Sequence, residues 1–370
     1  MRMKRKRSSE SGERKEEDRL SDLPDEVLQH IMGFLPTKQA IQSCVLSKRW
    51  KNLWKGLTTL TFTSFNGIRK YNRYVSHALS NRDDSIPLHN MHVKVFNSTT
   101  PKVLNNALKY ASQHHLQKLT LVMDFKFKKI PNSFIPIVIN CKSLTFLNLH
   151  ANFSRVPLTL PASLSLPSLK TLLLSNVIFT PRDDDNYIEP FSECTSLTTL
   201  VLEYSTHSHS TQTLCISNPS LSVLTMENIF YWDTFEPKIV LSVPKLTSIT
   251  LGNIHFLMSY KFSCTCTCDL PLLNEVKINN NIHIESSIVL SWLRMFSNAR
   301  TLTISSRTLN SLLLDLHLDT LKVQPPHLAK LESFNIEMDS RIMISEDELN
   351  MVVNSLVRNY QTTNVNVIKC

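Results

Sequence analysis

The sequence predicts a small all-α module followed by an α/β solenoid of leucine-rich repeats, its strands forming a curved parallel sheet. Three observations predict this. Apolar residues recur at helical spacing over residues 20–57. An apolar hexamer then returns nine times in near-constant phase from residue 116 onward. The 370-residue chain has only five glycines, at 12, 33, 56, 67 and 252. No GxGxxG or GxxxxGK[ST] loop can be assembled from them, which excludes a dinucleotide fold and a P-loop enzyme.

The helical module comes first. In LSDLPDEVLQHIMGFL the apolar residues 23, 27, 28, 31, 34 and 35 share one helical face. Pro24 suits a first turn, and Asp25 and Glu26 stand where the helix dipole favours anions. Pro36 ends that helix. Thr37 can cap a second, with Ala40, Ile41, Cys44 and Val45 on one side. Ser47 can cap a third, with Trp50, Leu53 and Trp54 at i, i+3 and i+4. Three helices this short make a very small core, and a unit so small and so apolar calls for a partner surface.

The repeat unit reads apolar-x-x-apolar-x-apolar. It begins at 116, 144, 169, 197, 221, 246, 273, 299 and 331, with a degenerate unit at 318. Its fourth and sixth positions alternate inward as a short strand, so Leu172, Leu174, Leu200 and Leu202 are expected to be structural. One unit cannot bury its own apolar face, so neighbours must stack. The returns between strands read as irregular or partly helical. LTTLTF at 57–62, VKVF at 93–96 and a helix at 103–113 are read as the N-terminal part of the solenoid. The expected division is a disordered basic tail at 1–19, the helical module at 20–57, the N-terminal solenoid part at 58–115, repeats at 116–340 and a C-terminal cap at 341–370.

Composition narrows the chemistry. Net charge is +9, and residues 1–19 hold eight Lys/Arg against five Asp/Glu, so a third of the excess is local. The remainder is too thin for a phosphate-binding stripe. The run Lys4-Arg5-Lys6-Arg7 reads as an import signal or a solvated terminus, which places the chain in nucleus or cytoplasm. The eight cysteines and the absence of an apolar leader point to a reducing compartment, where the sequons at Asn97 and Asn152 carry no meaning. No apolar stretch is long enough for a membrane span. Cys264, Cys266 and Cys268 with His255 do not have zinc-ligand spacing. Asp183-Asp184-Asp185 reads as a solvated run, and His114, His115, His207 and His209 lack partners at ligand spacing. With no GxSxG, HExxH or Cys-His signature, no catalysis, metal or cofactor is expected.

The stretch LSDLPDEVLQHIMGFLPTKQAIQSCVLSKRWKNLW resembles the F-box of the large plant F-box/leucine-rich-repeat family, in its Leu-Pro pair, its FLPTK turn and its VLSKRWKNLW helix. PSLKTLLLSNV, CTSLTTLVL and FSNARTLTI are similar to the repeats of the same family. The resemblance implies a substrate-recognition subunit of a cullin-based (SCF-type) ubiquitin ligase. The module would dock on a Skp-type adaptor, and through it on a cullin, while the repeats hold a protein substrate. Carried over residue by residue, the adaptor-contacting or module-core positions are Leu23, Pro24, Leu28, Ile31, Leu35, Pro36, Val45, Leu46, Trp50 and Trp54. Many relatives end in a further C-terminal domain. Here DELNMVVNSLVRN at 347–359 resembles a fragment of a C-terminal helix, and the full domain is not expected.

Strand alternation also defines the face that escapes the core. It carries Lys118, Lys170, Lys277 and Arg300 against Glu203, Glu227, Glu275, Glu332 and Glu337, with Ser and Thr elsewhere and Phe146 and His150 as exceptions. So neutral and hydroxyl-rich a face argues against nucleic acid and suits hydrogen-bonded recognition of a protein. Phe146, His150, Glu203 and Glu227 are the candidate substrate contacts. A hormone-like small-ligand receptor is the runner-up, and it would need a cationic floor that this face lacks. A repeat scaffold without a ubiquitin role is the third reading, and it would require an F-box unable to dock.

Overall fold

A computed structural model describes residues 20, 22–63, 68–96, 99–124, 132–152, 157–181, 187–204, 206–207, 213–228, 238–253, 270–281, 284–316, 328, 330–339, 342, 344–356 and 363–369. The basic run at 4–7, the Asp183–Asp185 run, His209, the cysteines 264, 266 and 268 with His255, and the degenerate unit at 318 lie outside them.

The N-terminal module consists of α1 (Asp25–Gly33), α2 (Thr37–Gln42), a 3₁₀ turn (Ser43–Val45) and α3 (Trp50–Leu53), followed by a second 3₁₀ turn (Trp54–Gly56). Leu28, Met32, Ala40, Trp50, Leu53, Trp54 and Leu57 form its core. Pro24 precedes α1, and its carbonyl accepts from the amides of Val27 and Leu28. Two caps expected from sequence are absent. Thr37 is the first residue of α2 and its hydroxyl is engaged elsewhere, while α3 starts at Trp50 and gains no cap from Ser47. Val45 does not join Ala40 inside, because the chain tightens into the 3₁₀ turn and swings it outward.

Eighteen strands follow among the described residues. They are β1 (Thr59–Phe62), β2 (Asn90–Phe96), β3 (Lys118–Asp124), β4 (Phe146–Ala151), β5 (Leu158–Leu160), β6 (Thr171–Ser175), β7 (Val177–Phe179), β8 (Tyr187–Ile188), β9 (Thr199–Glu203), β10 (Thr206–His207), β11 (Thr213–Ser217), β12 (Val223–Glu227), β13 (Lys238–Ser242), β14 (Ser248–Gly252), β15 (Glu275–Asn279), β16 (Thr301–Ser305), β17 (Ser333–Met338) and β18 (Asn364–Lys369). Twelve of them make one all-parallel, open sheet in the order β1-β2-β3-β4-β6-β9-β12-β14-β15-β16-β17-β18. This is a curved solenoid sheet, with each of the nine clear hexamers of the sequence repeat supplying one strand.

The register explains the phase of the repeat. Leu119, Leu147, Leu172, Leu200, Leu224, Ile249, Val276 and Leu302 stand in one core-facing row. Leu121, Leu149, Leu174, Leu202, Met226, Leu251, Ile278 and Ile304 form the next. All are buried. A shift of one residue in any strand would turn its apolar pair to solvent, so the pattern fixes the pairing.

Polar groups at both strand ends are satisfied by the next repeat. At the entry side, the amides of Thr198, Ser222, Thr247, Asn274 and Arg300 each donate to the carbonyl of the equivalent residue one repeat earlier. The hydroxyls of Thr145, Thr198, Ser222 and Thr247 donate to those same carbonyls at 3.0–3.1 Å. These Ser and Thr, read from sequence as recognition groups, are therefore structural. At the exit side, Asn176, Tyr204, Asn228 and Asn253 adopt left-handed φ of 46–55°, and their amides reach the carbonyls of Glu203, Glu227, Gly252 and Asn279 on the next strand. Asparagine tolerates that conformation best among non-glycine residues, which lets a glycine-poor chain turn off each strand.

The returns differ along the molecule. Those of the first and last repeats are helices: Ile68–Ser80, Pro101–Gln113, Ser286–Met295, Ser306–Leu316 and Glu346–Leu356. The middle returns carry short period-two apolar pairs such as Val177 and Phe179 or Leu214 and Ile216. They form two three-stranded parallel sheets, β10-β7-β5 and β13-β11-β8, on the far side of the core. At the C-terminus the segment expected to be a cap supplies β18, which extends the sheet beside β17.

Two expectations follow. Leu200→Ala should lower the unfolding free energy by about 2–5 kcal/mol through loss of packing and the cavity left behind. Thr198→Val should cost about 0.5–1.5 kcal/mol for the lost inter-repeat hydrogen bond. Chemical denaturation of the purified protein checks both, and equal midpoints for wild type and Leu200→Ala would refute the stacking assignment.

Candidate functional site

Two surfaces stand out, one on each part of the chain. On the N-terminal module the core is too small to enclose all its apolar residues. Val45 is 83% exposed, Phe34 77% and Leu46 66%, with Leu20, Val27 and Ile31 also exposed. Phe34 follows α1 and stacks edge-on against His30. Val45 and Leu46 sit on the 3₁₀ turn and just beyond it. Arg49 ties the far side by bonding Asp25 Oδ1 at 2.6 Å and the carbonyl of Leu23. Exposed apolar side chains this dense on one small unit mark an interaction surface.

The ten carried-over positions divide accordingly. Leu28, Trp50 and Trp54 are interior and can act only by shaping the module. Leu23 and Leu35 are partly buried against that core. Pro24, Ile31, Val45 and Leu46 are exposed, and Pro36 is half-buried. Phe34 and Val27 appear in the helical pattern but not among the ten. Periodicity groups them with Leu28 and cannot say which side of a shared face stays uncovered.

The second surface is the sheet face pointing away from the core. Phe146, His150, Glu203 and Glu227 all lie on it, as alternation requires. Glu203 and Glu227 are register partners on adjacent strands. Sequence reading missed its apolar centre: Leu173 pairs with Val201, and both are half-buried, as are Val122 and Val223. Much of its charge is internally paired. Lys277 bonds Glu337 at 2.6 Å across the intervening β16, and Lys94 meets Asp124 at 3.4 Å. Arg300 and Glu332 pair at 3.1 Å but are largely exposed to solvent, where such pairs contribute little. Partial burial lowers the pKa of His92 from its ordinary value. Among the described residues, no group of three His, Cys, Asp or Glu could hold a metal ion, and no helix is long and apolar enough to cross a membrane.

The two surfaces are held in one frame. Thr61 amide donates to Thr37 Oγ1 at 2.7 Å, joining α2 to β1. Ile41 packs against both cores. The main fastening is Arg82, whose guanidinium is buried. Its Nε and Nη2 donate to the Leu57 carbonyl at 3.1 and 3.0 Å, Nη2 to that of Pro87 at 2.8 Å, and Nη1 to Asp83 O and Tyr110 Oη at 3.2 Å. Tyr110 in turn donates to Asp84 at 2.7 Å.

Comparison with known proteins matches this division. The F-box domain model matches residues 20–60, ending inside β1. A model described as FBD-associated F-box protein At5g56370, LRR repeats, matches residues 104–268. The F-box/LRR-repeat protein At3g26922 of Arabidopsis thaliana is 32% identical over 227 residues, covering 60% of this chain and 71% of the relative. The chain belongs to the plant F-box/LRR-repeat family. The Arabidopsis FBD-associated F-box protein At4g10400 is 29% identical over 333 residues, 79% of this chain and 78% of that protein. The Arabidopsis F-box/FBD/LRR-repeat protein At3g51530 is 28% identical over 239 residues, 65% of this chain and 51% of that protein. The chain spans about half the length of that relative and of three further ones. Strands β15–β18 lie beyond the matched repeats, yet they continue the same sheet in register.

Arg82 is expected to govern the F-box–repeat junction. Arg82→Met keeps the stem but leaves buried carbonyls without donors, which should cost about 2–4 kcal/mol. Limited proteolysis should then cut near residues 55–60 before the repeats are degraded. A variant as stable and as protease-resistant as wild type would show that the junction does not depend on this side chain.

Proposed function

We propose that this F-box/LRR protein is a non-catalytic substrate receptor of a cullin-type ubiquitin ligase. Its F-box docks on a Skp-type adaptor through the exposed apolar surface around Phe34, Val45 and Leu46, and a protein substrate binds the outward face of the repeats. The observation that carries this reading is the exposed Phe34, Val45 and Leu46 on a matched F-box, since a module with so small a core has every physical reason to complete it against a partner. The repeat face supports the second half, being continuous over the sheet and apolar at its centre. A small-ligand receptor is less well supported. An acidic ligand would need a cluster of free cations on this face, whereas Lys94 and Lys277 already have carboxylate partners and Lys118 and Lys170 stand on either side of β4.

Adaptor pulldown tests the docking half. Val45→Asp combined with Leu46→Asp should abolish capture and leave the melting temperature within about 2 °C of wild type, because these side chains touch little of their own fold. Leu28→Ala should instead act by lowering stability. Capture at wild-type strength by the double aspartate variant would overturn the assignment of this surface.

A further inference from the structure

Among the cations on the outward face and its entry edge, Lys277 is bonded to Glu337 and Arg300 to Glu332. Lys118 and Lys170 differ. Both are exposed, and among the described residues neither ammonium has an ion-pair or hydrogen-bond partner. Both also stand at strand entries. Lys118 opens β3 and is the register partner of Phe146 on β4. Phe146 in turn pairs with Thr171 on β6, the residue directly after Lys170. Half-buried Phe146 therefore lies between two free cations whose backbones are two strand spacings, about 10 Å, apart.

The two ends of these strands carry opposite charge. The first three positions of β3, β4, β6, β9 and β12 hold no Asp or Glu, whereas Asp124, Glu203 and Glu227 each close their strand. The entry half of the face is thus cationic. On the segments entering β4 and β9, Lys142 donates to the Ser165 carbonyl at 2.6 Å and Glu193 accepts from Ser163 at 2.9 Å, so each already has its own partner. Leu173, diagonal to Phe146 on β6, and Val201 beside it on β9 extend an apolar strip from the aromatic residue.

We propose that Lys118, Phe146, Lys170 and Leu173 form a docking site for an extended segment of the protein substrate, in which one apolar residue has an acidic residue two positions away on each side. The inference rests on the reading of the outward face as the substrate side, and it specifies the chemistry recognised there. In an extended segment, residues i, i+2 and i+4 point to one side, so the two acids and the apolar residue between them face the sheet together. They span about 13 Å, and the flexible lysine stems take up the difference from the spacing of their backbones. The apolar side chain covers Phe146 and Leu173, and each carboxylate meets one ammonium. Lysine is a compact charge with rotatable donors, so it accepts a carboxylate without bidentate geometry. Two cations set apart by an aromatic ring suit two separate acids better than the single carboxylate of a small ligand. A basic segment is repelled at both ends.

Fluorescence anisotropy of the full-length protein tests this with labelled heptapeptides. The parent is Ser-Glu-Ser-Leu-Ser-Glu-Ser, and the others replace both Glu by Gln, both Glu by Lys, or Leu by Ser. At about 50 mM salt the parent should bind about fivefold tighter than the Gln peptide, the size expected of two exposed ion pairs, and the ratio should shrink at about 500 mM. The peptide without Leu should bind more weakly than the parent, and the Lys peptide should not bind. K118Q/K170Q should bring the Glu-to-Gln ratio to one while adaptor capture and melting temperature stay at wild-type values. Phe146→Thr, which installs the residue that β6 and β9 carry at the same register position, should weaken both peptides and keep the ratio. If the double variant melts lower, K118Q alone should still reduce the ratio. Equal or undetectable binding of the parent and Gln peptides, or a ratio intact in folded K118Q/K170Q, would overturn the proposal. Cellular protein capture that is lost in Thr225→Arg, on β12, yet unchanged in K118Q/K170Q and Phe146→Thr would remove this site and leave the outward-face reading standing. Capture insensitive to every outward-face change would remove both.

Discussion

A single repeat of this chain cannot bury its own apolar row, and most of the fold follows from that constraint. Each of the nine repeat strands contributes two large apolar side chains to the core, such as Leu200 and Leu202, and only the strands on either side can cover them. Lateral stacking in strict register is the arrangement that removes every pair from water at once. A parallel sheet results because every return travels over the same face. The returns themselves are free to be helix or strand, and they vary accordingly: helices near both ends, short parallel strands in the middle.

Stacking also settles the polar groups. The entry-side hydroxyls and the exit-side left-handed asparagines both find partners one repeat away, so the edges of the sheet's long faces are chemically satisfied. What remains available for recognition is narrower than the sequence suggests. The outward face loses much of its hydroxyl character to structure and much of its charge to internal pairs. It keeps an apolar centre at Leu173 and Val201.

The F-box faces the same difficulty on a smaller scale. Three short helices enclose Leu28, Trp50 and Trp54 but leave Phe34, Val45 and Leu46 outside. A repeat array covers its exposed rows with more of itself, whereas this module has no further copies and leaves its remainder exposed. Arg82 and the Thr37–Thr61 bond tie the module to the first strands, so anything held by the repeats has a defined position relative to the F-box surface. That coupling would suit the proposed receptor, which has to place a substrate for modification.

The sequence by itself determined the helical module, the strand of every clear repeat and the inward positions, because the 3.6 and 2.0 periodicities report directly which side chains leave water. It also put Phe146, His150, Glu203 and Glu227 on one face. It did not reveal β18 or the two back sheets, whose apolar runs are short and stand outside the hexamer phase. Nor could it assign the partners of Thr198, Ser222 and Thr37, which lie some 24 residues or more away along the chain. Only the tertiary structure decided which part of an apolar helical face stays uncovered, as between Leu28 and Phe34, and which carboxylates become neighbours, as with Glu203 and Glu227. Periodicity specifies that a residue is on a face, while its environment depends on what packs there, and that is set by segments distant in sequence.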